Sequence, residues 1–234
     1  MRAAVYEAVK WWFAFDGILT HQIKQQSGQI TMHQTRAVAN LYNFGRNMPS
    51  EDARVQHVVD AVNRFSGEVY PTFDSRAADI EQAITTLHSE LTRTSPTNKA
   101  FRIISGMTKL TWFVAPENWT PFDRLACAAL NICTVDSVQR MRNFYKKLDA
   151  IGYAETSARI KGIAKNTPFS AISGERILDK FLMFNGEVEW TAAVVPSSMA
   201  FPMAMSDEWK KALETFADGI LADKNCHLAL EETA

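Results

Sequence analysis

Apolar residues recur three and four positions apart along nearly all of this 234-residue chain, and only ten glycines and eight prolines interrupt them. That spacing stacks apolar side chains on one face of a helix, so the chain reads as mainly helical. Val5, Val9, Trp12 and Phe13 make a first stripe, which Ile18, Ile23 and Ile30 continue towards the polar run Gln25-Gln26-Ser27-Gly28-Gln29. A second helical stretch from about Thr31 to Phe44 stops near Gly45, and Ser50-Glu51-Asp52 starts a third that carries Val55, Val58, Val59 and Val62 towards a stop at Gly67. Asp74 or Ser75 opens the next, where Ile80, Ile84, Leu87 and Leu91 repeat until Ser95-Pro96-Thr97-Asn98 breaks the pattern. Further helices are expected at about 99–114, 121–133, 135–151, 155–165, 171–184 and 206–222. The apolar stretch from Glu187 to Met205, with Val194-Val195-Pro196 and Phe201-Pro202, is expected to be extended or irregular. No repeat and no linker divides the chain, which makes a single all-α unit with two lobes the economical architecture.

A composition of 47% hydrophobic and 22% charged residues excludes disorder as the main description. No run approaches the roughly 18 to 20 apolar residues of a membrane span, because Lys10, Asp16, Lys109 and Arg124 break the richest stretches. The first residues lack the apolar core and cleavage site of a secretion signal, so a cytoplasmic protein is expected. Cys127, Cys133 and Cys226 form no CxxC and are expected to be reduced and mostly buried. His21, His33, His57, His88 and His227 form no HxxxH or HxH pair, and neither a metal nor any other cofactor is expected. A net charge of −1 excludes coating of nucleic acid by bulk charge but leaves room for a local basic face. The densest basic run is Arg140-Met141-Arg142-Asn143-Phe144-Tyr145-Lys146-Lys147, with Arg159, Lys161 and Lys165 following. It reads as a solvated face or as a phosphate-binding surface.

The chemistry-bearing region is Ile103-Ile104-Ser105-Gly106-Met107-Thr108-Lys109, followed about fourteen residues later by Asp123 in Thr120-Pro121-Phe122-Asp123-Arg124. A glycine turn between two helices exposes backbone N–H groups that bind a phosphate without net basic charge, and a lysine just beyond it reaches the same ligand. Two simpler readings stand beside this one. Gly106 can be a helix-interior glycine that lets another element approach, with Lys109 a surface charge. Thr120-Pro121-Phe122-Asp123 can be an ordinary helix start with Thr120 as the cap.

This pair of segments resembles the helix-hairpin-helix DNA glycosylases. In that family an apolar-Pro-Gly-x-Gly-x-Lys hairpin precedes, by one helix and a loop, an aspartate at the start of the next helix. Ile23-Lys24-Gln25-Gln26-Ser27 is similar to the family's Ile/Leu-x-x-Gln-Gln-Thr/Ser segment, which faces DNA beside the target base, and the order of the three motifs is the same. The hairpin here is one residue short, Ser105 replaces the proline, Leu125 stands where histidine is common, and no four-cysteine cluster marks the iron–sulfur branch. The resemblance implies an all-α, two-lobed bundle. One lobe would be about 1–49 plus 134–234, and the other, about 50–133, would carry the hairpin.

It also implies a monomeric enzyme on double-stranded DNA that flips out and excises a damaged or modified base. Asp123 would stabilise the oxocarbenium charge that builds on the sugar. Lys109, if it reaches C1′, would attack as an amine and cut the strand; if it does not, the reaction stops at an abasic site. Gln25, Gln26, Ser105, Gly106, Met107, Thr108 and Arg124 would contact DNA. Trp11, Trp12, Trp112, Trp119 and Phe122 would supply the pocket that stacks on the flipped base. The divergence from the repair branches adds an antiviral enzyme acting on a modified phage base to the substrates considered. A non-catalytic DNA-binding module and a helical protein-interaction domain, with an exposed apolar patch around Val194 to Met203, are the alternatives from other classes.

Overall fold

The computed structural model describes residues 1–93, 103–186, 188–228 and 230, without the side chains of 188–190. The expected break at Ser95-Pro96-Thr97-Asn98 lies outside the described residues. In chain order the helices are α1 (Arg2–Trp11), α2 (Gly17–Gln25), α3 (Met32–Leu41), α4 (Asp52–Asn63), α5 (Phe73–Arg93) and α6 (Ile104–Val114). They continue with α7 (Arg124–Ala129), α8 (Ser137–Ala150), α9 (Tyr153–Ala164), α10 (Gly174–Gly186), α11 (Val188–Ala200) and α12 (Asp207–Ala222). Among the described residues there is no strand, so the fold is all-α. No helix among them is long and apolar enough to cross a membrane.

The chain divides into two compact units. Unit 1 is residues 1–18, 123–135 and 143–234; unit 2 is 19–122 and 136–142. The lobes expected at 1–49 plus 134–234 and at 50–133 are drawn elsewhere. Residues 19–49 fall in unit 2 because α3 packs on α4 and α6, and residues 123–133 fall in unit 1 because α7 packs on α10.

Unit 2 is built around α4, which packs on α3, α5 and α6. Val55, Val58, Val59 and Val62 of α4 are buried, as are Val38 of α3, Ile80 and Leu87 of α5 and Met107 and Leu110 of α6, each full burial of this kind contributing about 1.5–3 kcal/mol. Local signals start its helices. Thr31 caps α3 through a reciprocal box with Gln34, and Thr72 accepts from the Ser75 N–H at 3.1 Å ahead of α5. Arg142, near the start of α8, pairs with Asp74 at 2.7 Å, so that part of the basic run is an ion pair of unit 2.

Unit 1 is built around α10, which packs on α1, α7, α9 and α11. Two of its contacts are backbone against backbone: a Cβ on Gly174 would lie 2.1 Å from the Ser157 carbonyl oxygen, and one on Gly186 would lie 1.8 Å from that of Leu125. Only glycine permits both approaches. Of the segment expected to be extended or irregular, Glu187 to Met205, Glu187 lies outside the described residues and the rest up to Ala204 is α11, with Pro196 inside it, followed by a 3-10 turn, Phe201–Ala204. Its helical form is held by α1, against which it packs and to which Ser198 bonds. Between α1 and α2 the chain makes a π-helical turn, Trp12–Asp16.

Candidate functional site

Ser105, Gly106, Met107, Thr108 and Lys109 are not a turn between helices. All five lie inside α6, and the Met107 N–H donates to the Ile103 carbonyl at 2.7 Å. The hairpin reading is therefore corrected to a helix-interior glycine. A Cβ on Gly106 would sit 2.8 Å from the Phe44 ring, so glycine is what lets that ring lie against the helix. Lys109 is buried in unit 2, with its Nζ 5.8 Å from the centre of the Tyr42 ring.

The same segment has a different use. The Thr108 hydroxyl accepts from the Phe122 N–H at 3.1 Å, Ser105 Oγ donates to the Phe122 carbonyl at 3.0 Å, and Trp119 Nε1 donates to the Thr108 carbonyl at 3.1 Å. These bonds strap residues 119–122 onto α6 and take them out of any helix. That is why α7 covers only Arg124–Ala129 instead of 121–133, and why its cap is Asp123 rather than Thr120. Asp123 has extended backbone, φ −136° and ψ 149°, and its Oδ1 accepts from the Leu125 N–H at 2.8 Å. Its side chain is half-buried, and Arg124 beside it is exposed.

Gln25 and Gln26 are exposed at the end of α2, where Gln25 bonds His21 at 2.9 Å. The helix stops because Ser27 and Gly28 are both left-handed, φ 59° and 75°, and the Gly28 N–H returns to the Ile23 carbonyl at 3.0 Å. Lys24, Ser27 and Gly28 line one wall of a cavity of about 550 Å³ in unit 2, whose other walls include Tyr70, Arg76 and Asn118. The Tyr70 hydroxyl is pushed up to about 12 by burial and by its bond to Asp79.

Of the aromatic residues expected around a flipped base, Trp112, Trp119 and Phe122 are core side chains of unit 2. Arg76 lies over the Trp119 ring at 4.4 Å, and Phe73 stacks on it at 6.0 Å. Trp12 is packed over Gly17, where a Cβ would meet its Nε1 at 2.9 Å.

Trp11 lines a cavity of about 330 Å³ inside unit 1, together with Glu7, Lys10, Ala14, Phe15, Lys180, Met183, Val194 and Ser197. Glu7 is buried, and it holds the indole in place. Its Oε1 accepts from Trp11 Nε1 at 2.7 Å, and its Oε2 accepts from Ser198 Oγ at 2.6 Å and from Lys10 Nζ at 3.1 Å. Burial works to raise its pKa, but the Ser198 and Lys10 bonds outweigh that and hold it below the usual range. Beneath it, Arg176 donates to Asp16 at 2.7 and 2.8 Å and to Asp179 at 2.6 Å, all three side chains being almost wholly buried.

Lys180 is 4% exposed, and its ammonium meets Met183 Sδ at 3.8 Å and the Trp11 ring at 4.8 Å. Burial, with help from Arg176, pushes it down to about 8. Sequence reasoning found Trp11 here but missed Glu7, Asp16, Arg176, Asp179, Lys180 and Ser198. The pattern of α10 hides its charged residues, because Glu175, Arg176, Asp179 and Lys180 fall on one helix face opposite Ile177, Leu178 and Leu182 and so read as an ordinary solvated face.

Among the described residues no three His, Cys, Asp or Glu side chains come together as a metal site. Compared with known protein families, with curated proteins and with solved structures, the chain finds no match in any of the three.

Proposed function

We propose that the protein is a DNA N-glycosylase of the two-lobed helical type, excising a damaged or modified base from double-stranded DNA. The observation that carries the reading is the strap on residues 119–122. Three hydrogen bonds from one helix fix the backbone up to Phe122, and the half-buried carboxylate of the residue that follows, Asp123, is held at the head of α7 by the Leu125 N–H. Chemistry on an N-glycosidic bond needs this, because a carboxylate stabilises an oxocarbenium ion only if its position does not relax as charge develops. Lys109, buried against Tyr42, supports a reaction that ends at the abasic site with the strand intact. The exposed Gln25-Gln26 segment and Arg124 are the DNA contacts of this reading, and removal of a modified phage base is its biological extension.

The test is base release from duplexes carrying a panel of oxidised, alkylated, deaminated and phage-type bases, scored as alkali-labile sites. Wild type produces them and Asp123→Asn does not. If neither releases a base from any duplex at enzyme excess, the proposal fails. Omission of the alkali step and borohydride trapping check the product: no cut and no adduct are expected.

One observation favours a second reading, a helical protein-interaction domain. Phe13, Met199, Met203 and Trp209 of unit 1 are 47%, 42%, 81% and 38% exposed. That reading predicts no DNA affinity at low salt.

A further inference from the structure

The unit 1 cavity pairs an aromatic wall with a buried cation, Lys180, that hydrogen-bonds to no oxygen among the described residues. Folding alone gives no reason for it. An ammonium taken out of water costs several kcal/mol unless acceptors replace the water; here the contacts of the ammonium are a thioether and an indole face, and the charges of Asp179, Asp16 and Glu7 offset burial only in part. A methionine or leucine would fill the same volume more cheaply. Among the described residues, Glu7 is the carboxylate that lines the cavity, and it is engaged with Trp11, Ser198 and Lys10. The effect of those bonds is to hold the Trp11 ring rigid. Phe15 lies 5.4 Å from it, tilted by 53°, and is 38% exposed, which opens the cavity to solvent.

We infer that this cavity binds a planar nitrogen heterocycle that presents an oxo group to the Lys180 ammonium, its ring held among Trp11, Phe15 and Met183. The donor inventory decides the class. Lysine offers three N–H donors and no acceptor, so it rewards a carbonyl oxygen and sets donor against donor where an exocyclic amino group takes that place. The aromatic and thioether walls reward a flat, polarisable ring. The volume, at the small end of the roughly 300–1,000 Å³ of small-molecule sites, suits one or two fused rings. The ligand class is therefore that of hypoxanthine and uracil rather than adenine. Resting on the glycosylase reading, this is the pocket that receives the flipped base, and it makes oxo bases the substrates. Asp123 caps a helix that packs on α10, which also carries Lys180.

The experiment is calorimetric titration of the full chain with hypoxanthine, uracil, adenine and benzoate. Hypoxanthine or uracil binds, adenine binds roughly tenfold more weakly or not at all, and Lys180→Met loses roughly ten- to a hundredfold in affinity for the oxo ring. Lys180→Met is expected to keep the wild-type melting temperature or exceed it, so the loss is not unfolding. Trp11→Leu weakens both rings alike, which separates the stacking wall from the donor. Equal binding of adenine, undiminished binding by Lys180→Met, absence of binding by either oxo base, or a preference for benzoate overturns the inference.

Base release separates the two claims. Release from a duplex without any oxo-base binding sinks the pocket alone. Oxo-base binding that Lys180→Met abolishes, with no release from any duplex, sinks the glycosylase reading and leaves the pocket standing.

Discussion

In unit 2 the buried guanidinium of Arg76 donates to the Thr111 carbonyl at 2.9 Å and lies over Trp119, and that of Arg54 donates to the Leu91 carbonyl at 2.8 Å. In unit 1 Arg176 is as deep but is held by two carboxylates, while Lys180, one turn further along the same helix, touches sulfur and an indole face. Unit 2 uses buried cations to tie a helix to backbone carbonyls of another segment, with Arg54 also paired at 3.1 Å to the half-exposed Glu51 at the start of its own helix, which is a structural use. Unit 1 concentrates charge around a cavity and leaves one cation without a hydrogen-bonded oxygen among the described residues. Buried charge has a different meaning in each: in unit 2 it fastens, and in unit 1 it equips.

Removing the cation that both carboxylates share is the most damaging way to test this contrast. Arg176→Ala leaves Asp16 and Asp179 buried without their partner, and a loss of about 3–5 kcal/mol in urea denaturation is expected. A loss below about 1 kcal/mol would mean the carboxylates take up protons or water at little cost.

The Lys180 ammonium gives the next effect, and its sign is unusual for a lysine. Its pKa is lowered to about 8 in the folded state from 10.5, so between those values the unfolded chain binds more protons and stability rises with pH. Relative to Lys180→Met, wild type is expected to gain on the order of 3 kcal/mol as pH rises from about 8 to 10.5. Identical pH profiles for the two proteins would show that Lys180 is solvated in solution, and the contrast between the units would disappear.

In unit 2 the replacement Arg76→Met should be milder than Arg176→Ala, about 1–3 kcal/mol, because it leaves a neutral carbonyl rather than two carboxylates unpaired. A larger loss than that of Arg176→Ala would reverse the comparison. Thr108→Val removes one bond of the strap and should cost about 1–2 kcal/mol. Under the proposed function it also lowers base release while leaving DNA affinity intact, which a purely structural threonine would not do.

The smallest stability effect is the most informative for function. Asparagine caps a helix about as well as aspartate, so Asp123→Asn should change stability by less than about 0.5 kcal/mol, whereas Asp123→Ala loses about 1 kcal/mol. Loss of base release in Asp123→Asn at unchanged melting temperature assigns the carboxylate a chemical role. Retention of release leaves Asp123 a cap.

Much of the helix inventory is legible in the sequence, and so are several of its boundaries. The valine stripe of α4 and the apolar repeats of α5 are local signals, and each one predicts the element that forms. The glycine turn at Gly106 is misread for a definite reason. Glycine permits both a turn and a close approach, and only the position of the Phe44 ring, some sixty residues upstream, selects between them. The helix start at Thr120 is misplaced in the same way, since Thr108 and Ser105 claim the backbone of Phe122 from another helix. The order of Gln26, Lys109 and Asp123 is visible in the chain, but it says nothing of Glu7 or Ser198, which lie 191 residues apart and share a hydrogen bond.

By itself the sequence determined the all-α class and the stripes on which the helices pack, because the period of apolar residues and the capping residues act within a few positions. Tertiary structure alone decided which charges are buried, where α7 begins, that Val188 to Ala204 is helical, and that Lys180 faces an aromatic cavity. The physical reason is that burial belongs to an arrangement of several helices: a charged residue on a helix reads as solvated until the neighbouring elements that exclude water from it are in place.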